Sequence, residues 1–466
     1  MLLATSFSIS LLISCSSDKT DKEAAKQTLK PFPSTYAPLP SETFVIEHAT
    51  ILTGTGQQLD DASVLVEDGK IKVVGNNIYV EAGIKRYDAN GKWVTPGIID
   101  VHSHLGVYPS PSIESTSDGN EMTEPVTAQV WAEHSVWTQD PGMQLALAGG
   151  VTTFQVLPGS GNLIGGRGVT LKNVFARSVQ GMKFPDAPHS LKMACGENPK
   201  RVYGSQGRAP STRMGNVAGY RAAWIKAEAY REKWDAYYEA LAKGAGGEKA
   251  KEKPERTLKL ETLSEVLRGN ILVHNHCYRA EEMLVMIDIA KEFGYKIAAF
   301  HHAIEAYKIA DVLAKENICA AMWADWWGFK HEAFDQVKEN VAMVEKVGAC
   351  AIIHSDSAIG IQHLNQEAAK AMAAGNKNGL SLQAKDVIAW ITANAAKAIG
   401  VFDQTGSLEE NKMADIVIWS HNPFSIYAKA EKVFVDGVLS YDRMDLSKQP
   451  TSDFDLGITD PEGERL

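Results

Sequence analysis

The sequence predicts an α/β protein whose main part is a closed (β/α)8 barrel, accompanied by a small β domain built from both ends of the chain. Three observations predict this fold. Apolar strand patterns alternate with stretches of helical spacing from about residue 95 to 402, which is typical of a parallel sheet. Strand pairs joined by an Asp-Gly turn occur near both ends, at Asp68-Gly69 and Asp436-Gly437. The length of 466 residues suits one large barrel and a smaller module.

The first residues resemble a secretory signal. Residues 2–13 form an uncharged apolar run that is too short to cross a bilayer as a helix. The run ends at Leu12-Ile13-Ser14-Cys15, which resembles the bacterial lipoprotein cleavage box. The resemblance implies a signal peptide over 1–14, a lipid on Cys15, a polar tether over 15–42, and a periplasmic or outer-membrane-anchored protein. The run departs from the usual signal pattern in that no Lys or Arg precedes it. A buried N-terminal helix is the alternative.

The composition indicates which kinds of partner and which oxidation state of the cysteines to expect. The net charge is −10, and no basic stretch with interleaved aromatic residues occurs, so we expect no nucleic-acid partner. We expect a small-molecule substrate and membrane contact only through the lipid anchor, and a homo-oligomer is left open. Four further cysteines have no CxxC spacing and lie in apolar surroundings, so we expect buried free thiols: Cys195, Cys277, Cys319 and Cys350.

Taken in order, the chain divides into a first β part over 43–94, the barrel over 95–402, a second β part over 403–446 and a tail over 447–466. The two β parts are predicted to pair into one domain. Strand patterns in the barrel region fall at these places: 98–101, 149–157, 190–195, 270–274, 295–301 and 349–354. Helical spacing follows several of them, as over 280–293 and 305–316.

Two stretches interrupt the regular alternation. An insertion over 200–269 contains apolar residues at helical spacing from Tyr220 to Leu241, which predicts an amphipathic helix packed on the barrel. Residues 243–256 after it are rich in Gly, Lys and Glu and predict an exposed connection. The glycine-rich run from Gly159 to Gly168 lacks a GK[ST] ending, so we expect a loop after the second barrel strand and not a phosphate-binding loop.

Five predicted strands end in residues that bind metals. His102 and His104 lie two apart at the end of the first strand, so both rings point to one face. The other strand ends are Cys195-Gly-Glu197, His274-Asn-His276, His301-His302 and His354-Ser-Asp356. Barrel enzymes place their chemistry at the carboxyl ends of the strands, and polar groups aimed into a core are costly without partners. The pattern therefore predicts a metal site at this end of the barrel.

The run Thr95-Pro-Gly-Ile-Ile-Asp-Val-His-Ser-His104 resembles the signature of the amidohydrolase superfamily of metal-dependent hydrolases, specifically its imidazolonepropionase-related group. Three further stretches agree with it: Gly150-Val-Thr-Thr, His354-Ser-Asp-Ser and Lys412-Met-Ala-Asp-Ile-Val-Ile-Trp. The resemblance covers about 44–441. It implies a distorted TIM barrel with a β-sandwich domain built from both ends of the chain.

The resemblance also implies the ligands. His102 and His104 match the pair on the first strand, His274 the fifth-strand ligand, His302 the sixth-strand ligand and Asp356 the aspartate of the last strand. His276 is expected to touch substrate, and His301 is expected to face away from the site.

The ligand on the fourth strand is less defined. Relatives use either a Glu or a carbamylated Lys there, and this chain offers Glu197 and Lys192. We favour Glu197 because it sits where the strand should end, with Lys192 as the alternative.

The chemistry implied is hydrolysis of an amide or peptide-like C–N bond in a small substrate. One or two Zn2+ ions per chain, or another divalent metal, would supply activated water, and Asp356 would act as general base and then as general acid. Position 277, three residues after His274, is Cys where deaminases and imidazolonepropionases have Glu, which argues against those two activities. Arg213 and Arg279 are candidate holders of a substrate carboxylate. A lactonase or esterase of the same superfamily and a non-catalytic metal- or ligand-binding lipoprotein are the alternatives.

Overall fold

The computed structural model describes residues 32–110, 112–243, 252–326 and 328–449. The predicted signal peptide and Cys15 lie outside these residues, as do residues 450–466 of the predicted tail and 244–251 of the predicted connection. Among the helices of the described ranges, none is both long and apolar enough to cross a membrane.

The barrel is one sheet of eight strands in the order β13-β12-β11-β10-β9-β8-β7-β6. Its strands are β6 (Ile98–Ser103), β7 (Val151–Val156), β8 (Ile164–Lys172), β9 (His189–Ala194), β10 (Ile271–Cys277), β11 (Ile297–His302), β12 (Cys319–Met322) and β13 (Ala351–Ile353). All neighbouring pairs in this sheet are parallel except those of β8, which runs antiparallel to both β7 and β9. Beyond β13 the amide of Asp356 donates to the carbonyl of His102 at 3.0 Å, which brings the two edges of the sheet together. The prediction of a distorted TIM barrel is confirmed.

The reversed strand β8 corrects the interpretation of the glycine-rich run. We expected a loop over Gly159–Gly168, but the run enters β8 at Ile164. Glycine is needed there because another chain segment approaches the strand closely. A Cβ on Gly166 would lie 2.4 Å from the carbonyl oxygen of Val130, and Gly166 has a φ of 119°.

The second domain is also a single sheet of eight strands, made from both ends of the chain. Its strands are β1 (Phe44–Leu52), β2 (Gln58–Glu67), β3 (Lys70–Gly75), β4 (Lys85–Asp88), β5 (Trp93–Pro96), β14 (Ile416–Trp419), β15 (Ala430–Val435) and β16 (Val438–Asp442). The antiparallel pairing of β5 with β14 joins the two ends. Both predicted Asp-Gly turns connect antiparallel strands, and Phe44 stacks on Phe434 with ring centres 4.8 Å apart in the core between them. The prediction of a small β domain from both termini is confirmed.

Helices surround the barrel. They are α1 (Pro141–Ala148), α2 (Glu197–Gly204), α3 (Arg213–Ala242), α4 (Leu258–Leu267), α5 (Ala280–Phe293), α6 (Ala310–Glu316), α7 (Asn340–Lys346), α8 (Leu364–Lys377), α9 (Ala384–Val387) and α10 (Ala393–Ala398). Short 3-10 helices include Glu114–Thr116, Ala132–His134, Val179–Gly181, Ala306–Lys308, His331–Ala333, Gly360–His363, Ile388–Ile391 and Leu446–Lys448. Local sequence sets their ends, as where α5 stops at Gly294 with a left-handed φ of 74°.

The long helix α3 confirms the amphipathic helix predicted in the insertion. Its 30 residues bury one face, which includes Tyr220, Trp224 and Ala227. Trp224 is fully buried and lies against Tyr295, with ring centres 4.5 Å apart. The helix is therefore part of the core, and its first turn lies next to the residues that follow β9.

A buried ion cluster joins the two domains. Lys172 at the end of β8 has no exposed side-chain surface, and its Nζ lies 2.9 Å from both carboxylate oxygens of Asp415 and 2.9 Å from Oδ1 of Asp436. Thr405 donates its hydroxyl to Asp415 at 2.7 Å, and the Tyr36 hydroxyl donates to Asp436. The cation comes from the barrel and both carboxylates from the second domain.

Part of the predicted tether is fastened to the barrel. The amide of Thr35 donates to the carbonyl of Gln180 at 3.0 Å, and the Ser34 hydroxyl donates to the carbonyl of Lys183 at 2.6 Å. Lys183 Nζ donates to the carbonyl of Phe32 at 3.0 Å. Residues 32–36 of the predicted polar tether over 15–42 therefore have hydrogen-bond partners on the barrel.

The four cysteines also differ from expectation. Cys195 and Cys277 form a disulfide, and so do Cys319 and Cys350. The prediction of free thiols is wrong because each cysteine faces a neighbouring strand. The amide of Cys195 donates to the carbonyl of His276 at 2.9 Å, so adjacent parallel strands carry the first pair side by side.

Candidate metal centre

The first-strand histidines lie at the carboxyl end of β6 and meet Asp356. His102 is fully buried and His104 half-buried. Nε2 of His104 is 3.1 Å and Nε2 of His102 is 3.5 Å from Oδ1 of Asp356. The other nitrogen of each ring is also held, since His102 Nδ1 lies 2.9 Å from Nδ1 of His301 and His104 Nδ1 lies 2.8 Å from the carbonyl of Leu157. Three predicted ligands thus converge on one point.

Asp356 follows β13 with a left-handed φ of 52°. Burial by itself would raise the pKa of this carboxyl, but the hydrogen bond and charge of His104, with Lys192 nearby, hold it below its usual value. A quarter of its side chain stays exposed, with a relative accessibility of 25%. Asp356 is therefore an ionised carboxylate that a molecule in the barrel mouth can reach.

The structure places Lys192 among the histidines and Glu197 outside them. Lys192 lies inside β9 with no exposed surface, and its Nζ is 3.2 Å from Nε2 of His102 and 3.0 Å from the carbonyl of Pro158. Burial lowers the pKa of this amine to about 7. Our first choice, Glu197, begins helix α2, and its carboxylate lies 3.5 Å from Nζ of Lys330. The strand ends at residue 194, earlier than we assumed, so the geometry favours the alternative.

Both histidines at the end of β11 point into the barrel. We expected His301 to face away, yet its Nε2 lies 2.8 Å from Nδ1 of His274, and its Nδ1 contacts His102. His302 stacks on Trp323 with ring centres 4.2 Å apart. The expectation fails because strand alternation stops here, where His302 and Ala303 have left-handed φ values of 67° and 37°.

The fifth strand carries two histidines at different depths. His274 lies against His301, and its Nε2 is 3.5 Å from the side-chain nitrogen of Gln155. His276 lies beside His302 with ring centres 4.5 Å apart, and its buried Nδ1 has no hydrogen-bond partner among the described residues. The predicted ligand His274 therefore contacts the histidine cluster through His301. The predicted substrate contact His276 lies within the cluster, beside His302.

The donor set fits a divalent metal. Burial is the main cause that lowers the pKa of six imidazoles, which keeps them neutral with a free lone pair: His102, His274, His276, His301, His302 and His354. Two groups have ligand atoms that all lie within 4.8 Å of one another, one formed by His102, His302 and His354 and the other by His102, His104 and Asp356. Nδ1 of His302 and Nδ1 of His354 are both buried, and neither has a hydrogen-bond partner in the part of the chain that the structure describes. Neutral imidazole nitrogens around a carboxylate are what zinc and similar ions bind.

His354 is the member of this cluster to which sequence analysis gave no role. Its ring stacks on that of His102 at 5.1 Å, and the backbone amide of His302 points at its Nε2 from 3.3 Å. The signal was present in the His354-Ser-Asp356 strand end, where residues two apart share a face.

The two arginines predicted to hold a carboxylate lie away from the histidines. Nε of Arg213 is 3.0 Å from Oε1 of Glu282, and its Nη2 is 3.1 Å from Oε1 of Glu332. Nε of Arg279 is 2.6 Å from Oε1 of Glu281. Both guanidinium groups already face carboxylates of the protein.

Comparison with known proteins gives a consistent result. The sequence pattern of the amidohydrolase family matches residues 93–440. The chain is 33% identical over 396 residues to the amidohydrolase tasK of Hapsidospora irregularis, which covers 81% of this chain and 40% of that protein. An imidazolonepropionase of Mesorhizobium japonicum is 23% identical over 380 residues, which covers 78% of this chain and 87% of that one. The crystal structure of an amidohydrolase from Thermotoga maritima has a TM-score of 0.78 and 36% identity, and covers 86% of this chain and all of that one.

Proposed function

Because the chain belongs to the amidohydrolase family, we propose that it is a metal-dependent hydrolase that cleaves an amide or peptide-like C–N bond in a small substrate. The observation that carries the proposal is the convergence of neutral histidines, the ionised Asp356 and the buried Lys192 at the carboxyl ends of the barrel strands. The imidazolonepropionase-related assignment is not part of the proposal, since that relative is only 23% identical.

His102, His104 and Asp356 would hold one metal ion. His302 would hold a second, with His276 or His354 beside it. Nζ of Lys192 lies 3.2 Å from Nε2 of His102. When bound, a zinc ion or a similar divalent metal supplies a Lewis acid that polarises a carbonyl group and makes water more acidic. The donor atoms suit this because they are neutral nitrogens and one carboxylate, with no thiolate available in the described residues.

Lys192 would join such a site as a carbamate. The ammonium group first releases one proton to solvent. The resulting amine forms an N–C bond to carbon dioxide and releases a second proton, so a carboxylate replaces the buried cation. Two observations support this. Among the residues that the structure describes, no carboxylate lies within hydrogen-bond distance of the Lys192 amine, which points at His102. A buried ammonium group without a counterion is costly, so conversion to an anion beside a metal removes that cost.

Asp356 is placed to move the proton. It accepts one proton from the attacking water, whose oxygen forms the new bond to the acyl carbon, and delivers that proton to the leaving nitrogen as the C–N bond breaks. His104 orients the carboxylate through the 3.1 Å contact and keeps it ionised. Trp323, stacked on His302, covers the site from the side of β12. The products are an acid and an amine.

The metal content of purified protein tests the site. Zinc and bicarbonate are supplied, and bound metal is measured by mass spectrometry for the native chain, Lys192→Met and Glu197→Gln. We expect about one or two ions in the native protein, little change for Glu197→Gln and clear loss for Lys192→Met. Loss in Glu197→Gln alone would reverse the fourth-strand assignment. No metal in any of them would refute the hydrolase mechanism.

Activity is tested on dipeptides and N-acyl amino acids, with Asp356→Asn as the variant that keeps the shape of the site. Removal of a general acid–base group costs about 10²–10⁴-fold in rate. Turnover by metal-loaded Asp356→Asn equal to that of the native protein would exclude the role given to this residue.

We further propose that the protein is exported. Disulfides form mainly in oxidising compartments, and the two disulfides support this location. Cell fractionation of the native producer tests it, and recovery in the reducing cytosol with all four thiols free would contradict it.

A further inference from the structure

A cavity of about 730 Å3 opens beside the metal centre. It is lined by residues of helix α2 and by Ser211, Phe329 and Lys330. Asn198 belongs to this lining, and its side-chain nitrogen lies 3.4 Å from Nε2 of His276. The side chain of Asn198 therefore connects the cavity to the histidine cluster.

The charge of this cavity is opposite to that of the whole chain. Lys200, Arg201 and Lys330 line it with the single carboxylate of Glu197, in a protein whose net charge is −10. Glu197 lies 3.5 Å from Lys330. Neither Lys200 nor Arg201 forms an ion pair within the ranges that the structure describes, so two cations are left to face the cavity.

The cavity also offers an apolar surface. Phe329 lines it with 57% of its surface exposed, which is unusual for a side chain of this size. Lys330 lies over the ring of Tyr278 at 4.2 Å, and Tyr278 in turn packs near His302 with ring centres 5.4 Å apart. Aromatic rings thus run from the mouth of the cavity to the metal centre.

We propose that this cavity is the recognition pocket for a substrate carboxylate, held by Lys200 and Arg201, with the apolar part of the substrate against Phe329. The inference rests on the proposed hydrolysis, because it names the class of amide that would be cut. Lys200 and Arg201 take the role that the sequence suggested for Arg213 and Arg279. The guanidinium groups of those two arginines already pair with carboxylates of the protein, which belong to Glu282, Glu332 and Glu281. An Arg with a free fork binds a carboxylate by two parallel hydrogen bonds, and a lysine beside it adds charge.

The test uses two ligands that differ only in charge, N-acetylphenylalanine and N-acetylphenylalaninamide, with the zinc-loaded protein. Binding is measured by calorimetry at low salt, or as KM if the compounds are hydrolysed. We expect the acid to bind about tenfold more tightly than the amide, since a hydrogen bond to a charged group is worth roughly that factor or more. The preference should disappear in the double variant Lys200→Met/Arg201→Met and persist in Arg208→Met, an exposed arginine outside the cavity.

The outcomes separate this inference from the proposed function. Equal affinity for acid and amide in the native protein, or an acid preference that survives in the double variant, overturns the carboxylate pocket and leaves the hydrolase proposal standing. Hydrolysis of no amide at all, together with a preference that depends on Lys200 and Arg201, supports the pocket and refutes the reaction. A carboxylate that binds only the metal gives the same affinity in native and variant proteins and so counts against the pocket.

Discussion

The disulfide between Cys195 and Cys277 gives a prediction that can be worked out from the structure. It joins the ends of β9 and β10, the strands that carry Lys192 and His276. The second disulfide joins the start of β12 to the residue before β13, at the opposite end of the barrel. Cys195→Ser/Cys277→Ser and Cys319→Ser/Cys350→Ser are therefore matched pairs, one beside the site and one remote from it.

Loss of either disulfide should lower the free energy of unfolding by a similar amount. The loop-entropy relation gives about 4.5 kcal/mol for the separation of 82 residues in the first disulfide and about 3.7 kcal/mol for the separation of 31 in the second. The difference is less than about 1 kcal/mol, which is within the spread of measured values. Guanidinium unfolding of the native protein and both double variants measures these losses.

The two double variants should differ in their affinity for zinc. Without the first disulfide, the two strand ends are held at that level by the 2.9 Å bond from the Cys195 amide to the His276 carbonyl and by the 3.4 Å contact of the Asn198 side chain with His276. Loss of a group that orients metal ligands costs about 10–100-fold in metal affinity. We therefore expect a drop of that size in Cys195→Ser/Cys277→Ser and little change in Cys319→Ser/Cys350→Ser, measured by competition with a chelating dye.

Equal loss of zinc affinity in both double variants would contradict this prediction, since the effect would then be one of general stability. Native zinc affinity in Cys195→Ser/Cys277→Ser would contradict it as well.

Three further predictions concern stability. Burial raises the pKa of Glu282 from 4.5 to about 7. The contribution of this carboxyl group to the stability of the folded protein is therefore fully present below pH 4.5 and is lost as the pH rises through 7. At pH 8, Glu282→Gln should be more stable than the native protein by on the order of 1–2 kcal/mol in denaturant unfolding. The same difference in the free energy of unfolding at pH 5 and at pH 8 would contradict this. Trp224→Ala, which empties a fully buried site in α3, should cost about 3–5 kcal/mol in the same assay, whereas the exposed Ile225→Ala on that helix should cost less than about 0.5. Gly166→Ala should lower the melting temperature far more than Gly56→Ala, because both have a positive φ but only Gly166 has a backbone oxygen 2.4 Å from the added Cβ.

Much of the fold follows from patterns that depend on neighbouring residues only. The alternation of strand and helix spacing, the apolar stripe of α3 and the two Asp-Gly turns are local, and each was predictable. The reversal of β8 was not, because its glycines are suited equally to a loop and to a strand that another segment approaches closely. That choice depends on where residue Val130 lies, which no local pattern contains.

The candidate metal centre shows the same limit for individual residues. The choice between Lys192 and Glu197 depended on where β9 ends. We expected the strand to extend to Glu197, but it ends at Ala194, and Glu197 begins the next helix. The orientation of His301 turned on two left-handed residues, which the alternation rule does not include. The disulfide of Cys195 depends on the register of two strands that are 82 residues apart at this point.

The ion cluster of Lys172 bears on whether the two domains can be separated. The lysine belongs to the barrel, and Asp415 and Asp436 belong to the last part of the chain. A protein cut after residue 402 would keep a fully buried ammonium group and lose both of its counterions. The barrel is therefore not an independent unit for expression or for domain exchange. A chimaera that takes its second domain from a relative would have to bring two aspartates to these positions, or replace Lys172 by an apolar residue at the same time.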